Sequence, residues 1–346
     1  MSIKFKILLL NFVSISAFGS CLTPQEVTTI KTCKPSIRIL VPSTAGGTMD
    51  AFARELEQVL RVEGLGGGLS VVNRPGANGN IAAGEMVQRK DPCTFLLGSA
   101  ATLSTNRLNR NLTPAINALS EFEPVALVAK NPLILIVNKE ESKIKDLEDF
   151  VKRLKSGTLK YSSSGIGSIN HLAVVKMEQD LGVVDHSVHA PGKGATEANQ
   201  MMYSDDVDFV MDNPLTASAL MRNEKMLVLG SSYDKPVLLG GKTVLPISRD
   251  EHFKNFSAEA WYGLVGSKSL DPGVKAAMTK ASQCMVNNAT IKAKFEKMGF
   301  SMQDGSPDSL KSLMTSEIKK WKPIFDLATR DDGAAQGVGT RKSTSP

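Results

Sequence analysis

The stretch Ile37-Arg38-Ile39-Leu40-Val41-Pro42-Ser43-Thr44-Ala45-Gly46-Gly47-Thr48-Met49-Asp50-Ala51-Phe52-Ala53-Arg54 runs from an apolar strand through a loop of small residues into a helix. Gly46 and Gly47 have no Cβ, so their backbone N–H groups can come close to a ligand, and Thr48 is placed to cap the helix. An exposed helix start favours an anion. The same residues also fit an ordinary strand-to-helix turn, because glycine punctuates turns of every kind. Other segments have to decide between the two.

Downstream, residues 49–62 read as an amphipathic helix, with Phe52, Leu56, Val59 and Leu60 at helical spacing and Gly64 as its stop. A short strand at 69–72 leads to the turn-rich run Asn73-Arg74-Pro75-Gly76-Ala77-Asn78-Gly79-Asn80. A helix at 81–89, a strand at 94–97 and the loop Gly98-Ser99-Ala100-Ala101-Thr102 follow. Strands alternating with helices of this length predict a parallel sheet covered on both faces. The apolar runs 122–129 and 132–137, parted only by Lys130-Asn131, mark a crossing into a second lobe.

That lobe repeats the opening pattern. A helix at 144–154 and a strand at 159–162 lead into Ser163-Ser164-Gly165-Ile166-Gly167-Ser168, then a helix at 170–181. Two anion-friendly loops, one in each lobe, point to a ligand cleft more strongly than either loop alone. A third unit has a strand at 183–189, the loop Ala190-Pro191-Gly192-Lys193-Gly194 and a helix at 195–203. The strand at 207–211 then delivers Asp212-Asn213 at its carboxyl end, where open α/β sheets place ligand sites. A helix at 215–222 precedes a strand at 226–231, read as the return crossing. A strand at 258–265 and helices at 272–287, 291–298 and 309–328 complete the chain before a Gly-, Ser- and Thr-rich tail that reads as disordered.

At 346 residues and 42% hydrophobic, the chain is long enough for a substantial core and for more than one lobe. Lys4 and Lys6, followed by a short apolar stretch and small residues, form a secretory signal pattern over residues 1–20. Two cleavage readings stand: Ala17-Phe18-Gly19 fits small-residue cleavage, and Phe18-Gly19-Ser20-Cys21 is a degraded version of the pattern that acylates a cysteine, here Cys21. The formal charge of +6 drops to +4 once the two signal lysines leave. That modest excess suits an anionic small ligand. With 5% aromatic residues and no dense Lys/Arg patch, nothing indicates nucleic acid.

Cys33 precedes the opening strand and Cys93 precedes the strand at 94–97, so parallel neighbours would bring the two together; a Cys33–Cys93 disulfide is expected, with Cys284 free. Three separate buried cysteines are the alternative. Nucleotide and nucleophile motifs of the forms GxxxxGK[ST], GxGxxG and GxSxG do not occur, so no cofactor and no catalytic constellation is expected. His186 and His189 would point to opposite faces of one strand, a poor geometry for a shared metal. His171, after the second loop, could shape a site or simply pack.

Taken together, the run 38–54, the segment from Asn73-Arg74-Pro75-Gly76 to Ile81-Ala82-Ala83, and Tyr161 through Ser168 with His171-Leu172-Ala173 closely resemble the tripartite tricarboxylate transporter substrate-binding receptors, the Bug family. The likeness continues through Asp208-Phe209-Val210-Met211-Asp212-Asn213 and Ala260-Trp261-Tyr262-Gly263-Leu264 to Glu317-Ile318-Lys319-Lys320-Trp321. The resemblance implies a type II periplasmic binding-protein fold: two α/β lobes joined by two crossing segments with a ligand cleft between them. On that reading residues 1–20 are the signal peptide, 21–35 a linker, 36–129 and 231–328 lobe 1, 130–230 lobe 2 and 329–346 a disordered tail.

The resemblance also implies a function. Thr44, Ala45, Gly46, Gly47 and Thr48 would face Ser164, Gly165, Gly167 and Ser168 across a small organic carboxylate, with Ser99, Ala100, Thr102 and Asp212 completing the cleft. The periplasmic receptor would then pass the ligand to a two-subunit membrane permease driven by an ion gradient. A second reading keeps the fold but docks it on a membrane sensor kinase. Ser43-Thr44-Ala45 departs from the family's usual aromatic and proline-containing run, adding two hydroxyls. Gly192 stands where a tyrosine is common, which would open that side of the cleft.

Overall fold

The computed structural model describes residues 21–65 and 68–330. The expected signal segment and most of the tail lie outside them. Two sheets are built on one plan. In the first, Leu69–Asn73, Ile37–Val41 and Thr94–Ser99 are parallel, with Ile37–Val41 in the centre. The antiparallel strands Glu259–Ser267, Phe122–Pro132 and Ser301–Met302 continue it. In the second, Val188–Pro191, Lys160–Ser163 and Phe209–Asp212 are parallel around Lys160–Ser163, and Ile134–Asn138 and Met226–Ser231 add antiparallel strands. Both sheets are therefore mixed, because the crossing strands run against the βαβ units they join.

The crossings are short. Phe122–Pro132 passes into Ile134–Asn138 at Leu133, whose N–H donates to Ser232 Oγ at 2.8 Å while Ser232 N–H donates back to the Leu133 carbonyl at 2.9 Å. These paired bonds tie the outgoing and returning chains where the sheets meet.

Ile37–Val41 is buried on both faces except at Arg38, as a central strand with helices above and below requires. The helix Thr48–Leu60 buries Phe52, Ala53, Leu56, Val59 and Leu60. Phe52 stacks on Phe295 at 4.4 Å between ring centroids and meets Phe300 edge-on at 5.4 Å. Burying a side chain of that size contributes about 1.5–3 kcal/mol, so the loop ahead of the helix stands on a fixed base.

Several expectations need correction. Residues 21–35 are more than a linker: Thr23 and Glu26 form a capping box on the helix Pro24–Ile30, which lies against Pro272–Asn287 through the Glu26–Lys280 ion pair. The strand expected at 183–189 forms only at Val188–Pro191, and a hairpin, Val237–Leu239 with Lys242–Val244, had no clear sequence signal. Cys33 and Cys93 are joined, with Cα atoms 5.5 Å apart at the starts of adjacent parallel strands. Cys284, expected free, is paired with Cys21.

Candidate functional site

Open α/β sheets carry ligand sites at the carboxyl ends of their parallel strands, and near these ends the two lobes touch: Asn78 reaches the Ile166 carbonyl, Thr105 the Gly167 carbonyl and Tyr262 the Asn213 side chain. In the first loop, Gly46 adopts φ +81°, which only glycine accepts without strain. The helix begins at Thr48 itself with Gly47 as its N-cap, so the expected Thr48 cap is absent: the residue lies one position too late. Its side chain instead lies near the Tyr262 hydroxyl.

The group that organises this loop is Asp50, on the first helical turn and 3% exposed. Its carboxylate accepts the Gly46 N–H at 2.9 Å, Arg54 Nε at 2.9 Å and Asn73 Nδ2 at 3.0 Å. Burial alone would raise its pKa, but these donors together hold it below the usual carboxylate range. The Gly46 amide, expected to face a ligand, is thus engaged within the protein, and Gly47 N–H closes a turn onto the Thr44 carbonyl at 3.3 Å. The Thr44 and Ala45 backbone and the unpaired N–H of the first helical residue, Thr48, are what this loop can still offer. Beside them, Ser43 Oγ is buried with no hydrogen-bond partner among the described residues.

The second loop is organised without charge. Gly165 has φ +129° and Gly167 φ +76°. Ser168 caps the helix Ile169–Asp180 by accepting His171 N–H. Gly165 N–H donates to Ser163 Oγ at 3.2 Å, and Gly167 N–H to His171 Nδ1 at 3.0 Å. The remaining proton of a neutral His171 therefore sits on Nε2. His171 stacks on His189 at 4.0 Å, and His189 Nε2 lies 2.7 Å from Ser163 Oγ. Desolvation pushes the His171 pKa down to about 3, helped by neighbouring His189, and desolvation alone takes His189 down to about 4. Both are neutral props beneath the loop. His171 was among the residues that could shape the site; its pairing with His189 is not legible in the sequence, because strand spacing says nothing about a partner on a helix. His186 lies outside the strand and is exposed.

The other expected residues divide. Thr102 Oγ1 donates to the Asn78 carbonyl at 3.0 Å, and Ser99 Oγ lies 3.5 Å from Thr102, so this pair supports a neighbouring loop; Ala100 is buried. Ser164 donates to Asn170 Oδ1 at 3.3 Å. Asp212 is 2% exposed, and its oxygens accept Asn199 Nδ2 at 3.0 Å and Asn213 N–H at 2.7 Å. Burial raises its pKa to about 6 against the pull of those donors. It holds Asn213, whose Oδ1 receives the Tyr262 hydroxyl at 3.4 Å and Asn131 Nδ2 at 3.1 Å. Tyr262 thereby ties its own strand, in the first sheet, to the end of the second sheet at Asn213.

Gly192 does not open the cleft. A Cβ there would sit 3.0 Å from Ala198 N and 3.1 Å from the carbonyls of Gly194 and Ser163, so the backbone itself fills the space.

Two mixed α/β sheets joined by short crossings, with loops from both meeting at the junction, define a two-lobed ligand-binding protein. Residues 52–329 match the tripartite tricarboxylate transporter family receptor, and the chain belongs to this family. It is a family of solute-binding receptors rather than of enzymes. The protein BugT of Bordetella pertussis is 24% identical over 305 residues, spanning 86% of this chain and 89% of BugT. Two solved structures share the fold at 22% identity. An R. palustris protein with adipate superposes with TM-score 0.76, covering 85% of this chain and 97% of its own. MatC from Rhodopseudomonas palustris with bound malate gives 0.73, covering 84% and 98%.

Proposed function

We propose that the chain is an exported, periplasmic receptor that captures a small organic carboxylate between its two lobes and delivers it to a two-subunit membrane permease. The observation that carries this reading is the contact of a lobe 1 turn with the second glycine loop at the lobe junction: the Asn78 side chain, in the turn at 73–80, donates to the Ile166 carbonyl. A ligand seated there touches both lobes, and only a ligand with different affinity for open and closed forms shifts their balance.

The candidate donors are the Thr44, Ala45 and Thr48 amides, the hydroxyls of Ser43 and Thr44, and the Ile166 amide. No cationic side chain is needed, because charge-assisted hydrogen bonds in a water-poor cleft contribute about 1.5–3 kcal/mol each. Adipate and malate, bound by two relatives of the same fold, are the natural first probes.

Mass spectrometry of small molecules released by denaturing freshly purified protein tests the ligand class. A carboxylic acid is expected. Release of only non-acidic solutes, with no thermal shift in adipate or malate, would overturn the reading.

A further inference from the structure

The Ile166–Gly167 peptide group is held from both lobes at once. Its N–H donates to His171 Nδ1 at 3.0 Å, within lobe 2, and its carbonyl accepts Asn78 Nδ2 at 2.6 Å, from lobe 1. We infer that Asn78 is a positioning residue for ligand capture: by gripping this peptide it orients the second loop only when the lobes are closed, and so sets how long a bound ligand is retained. The inference rests on the carboxylate-receptor reading for its ligand measurements but not for its conformational one.

Three features make Asn78 more than an incidental contact. Its backbone is fixed in the left-handed region at φ +50°, which asparagine tolerates better than other side-chain-bearing residues. Its carbonyl is pinned by Thr102 Oγ1 and by Asn106 Nδ2, each at 3.0 Å, so two residues of a neighbouring segment aim the side chain. Thr102 comes so close that a Cβ at Gly79 would lie 2.2 Å from its hydroxyl; glycine at 79 is what admits this support.

On the far side the fit is equally close. A Cβ at Gly165 would lie 2.9 Å from Asn78 Oδ1, and one at Gly167 would lie 2.6 Å from the Phe325 ring. The two glycines of the second loop therefore match surfaces brought by the rest of the protein: Asn78 on one side and the helix Pro307–Ala328 on the other. A weaker contact, Thr105 Oγ1 to the Gly167 carbonyl at 3.4 Å, runs in the same direction. A bond made only on closure slows opening, so it acts on ligand release more than on encounter.

The test uses Asn78→Ala, which removes the donor, and Asn78→Asp, which sets a carboxylate against the Ile166 carbonyl. With adipate or malate as probe, the dissociation rate is expected to rise about tenfold in Asn78→Ala and further in Asn78→Asp, with the association rate and Tm little changed. Separately, in ligand-free protein carrying one genetically encoded spin label on each lobe, both variants are expected to lengthen the mean interlobe distance. Distance distributions identical to the parent in both variants would overturn the inference, as would unchanged dissociation rates in a parent that binds a probe. Failure of the parent to bind either acid bears on the carboxylate reading, and the distance measurement then decides on Asn78 by itself.

Discussion

The two glycine loops occupy equivalent places, each following the central strand of a parallel trio, yet they are stabilised by opposite means. The loop at 44–48 is ordered by a buried carboxylate, Asp50, which draws Gly46, Arg54 and Asn73 onto itself. The loop at 163–168 is ordered by neutral groups, the Ser163 hydroxyl and the stacked imidazoles of His171 and His189. The residues matched to the family run from 52 to 329, so the second loop lies inside the match and the first lies before it. The Asp50 charge is matched by Arg54, so the first loop is shaped by an ion pair that occupies one of its amides, whereas the second is shaped by neutral groups alone.

The sharpest way to break this comparison is to fill each loop in turn. Gly165→Val forces a β-branched residue into φ +129° and against Asn78, and is expected to cost roughly 100-fold or more in affinity for a bound carboxylate, the equivalent of about two charge-assisted hydrogen bonds. Gly47→Val meets only the Thr44 carbonyl at 3.3 Å and Ser43 Oγ at 3.4 Å, with ordinary φ −75°, so a smaller loss of about tenfold is expected. Calorimetry on both variants reads the difference; equal losses would erase the asymmetry.

Charge separates the loops next. Asp50→Asn places an amide where three donors converge and is expected to lower unfolding free energy by about 1–3 kcal/mol, measured by urea titration. The smallest effect concerns acid. His171 and His189 are neutral in the fold, with pKa values of about 3 and about 4 against 6.5 when free, so the unfolded chain binds more protons below pH 6.5. Their contribution to stability is complete above pH 6.5 and is lost progressively as pH falls toward about 4 and about 3. His171→Gln should flatten the dependence of Tm on pH across that window; an unchanged slope would mean the imidazoles do not carry it.

Much of the architecture is legible in the residues because local patterns specify it. The apolar run at Ile37–Val41, the spacing of Phe52, Leu56, Val59 and Leu60, and the repeat of strand, small-residue loop and helix all act over a few positions. What escaped depends on distant partners. Asp50 looks like a favourable first-turn acid on a helix, and only the fold shows that it occupies a loop amide instead. Tyr262 lies within a strand whose pattern carries no hint of two lobes meeting at its hydroxyl. Gly192 was read as an opening because sequence records the missing ring and not the backbone that moved in. Cys284 gave no local sign of Cys21, 263 residues away.

The two-sided cleft is tested most directly by hydrogen–deuterium exchange of peptides covering residues 43–52 and 161–172, with and without a saturating carboxylate ligand. Protection that rises in both peptides together is the expected result, with the larger gain at 161–172. Protection confined to one lobe, or absent from both while the ligand is demonstrably bound, would contradict it.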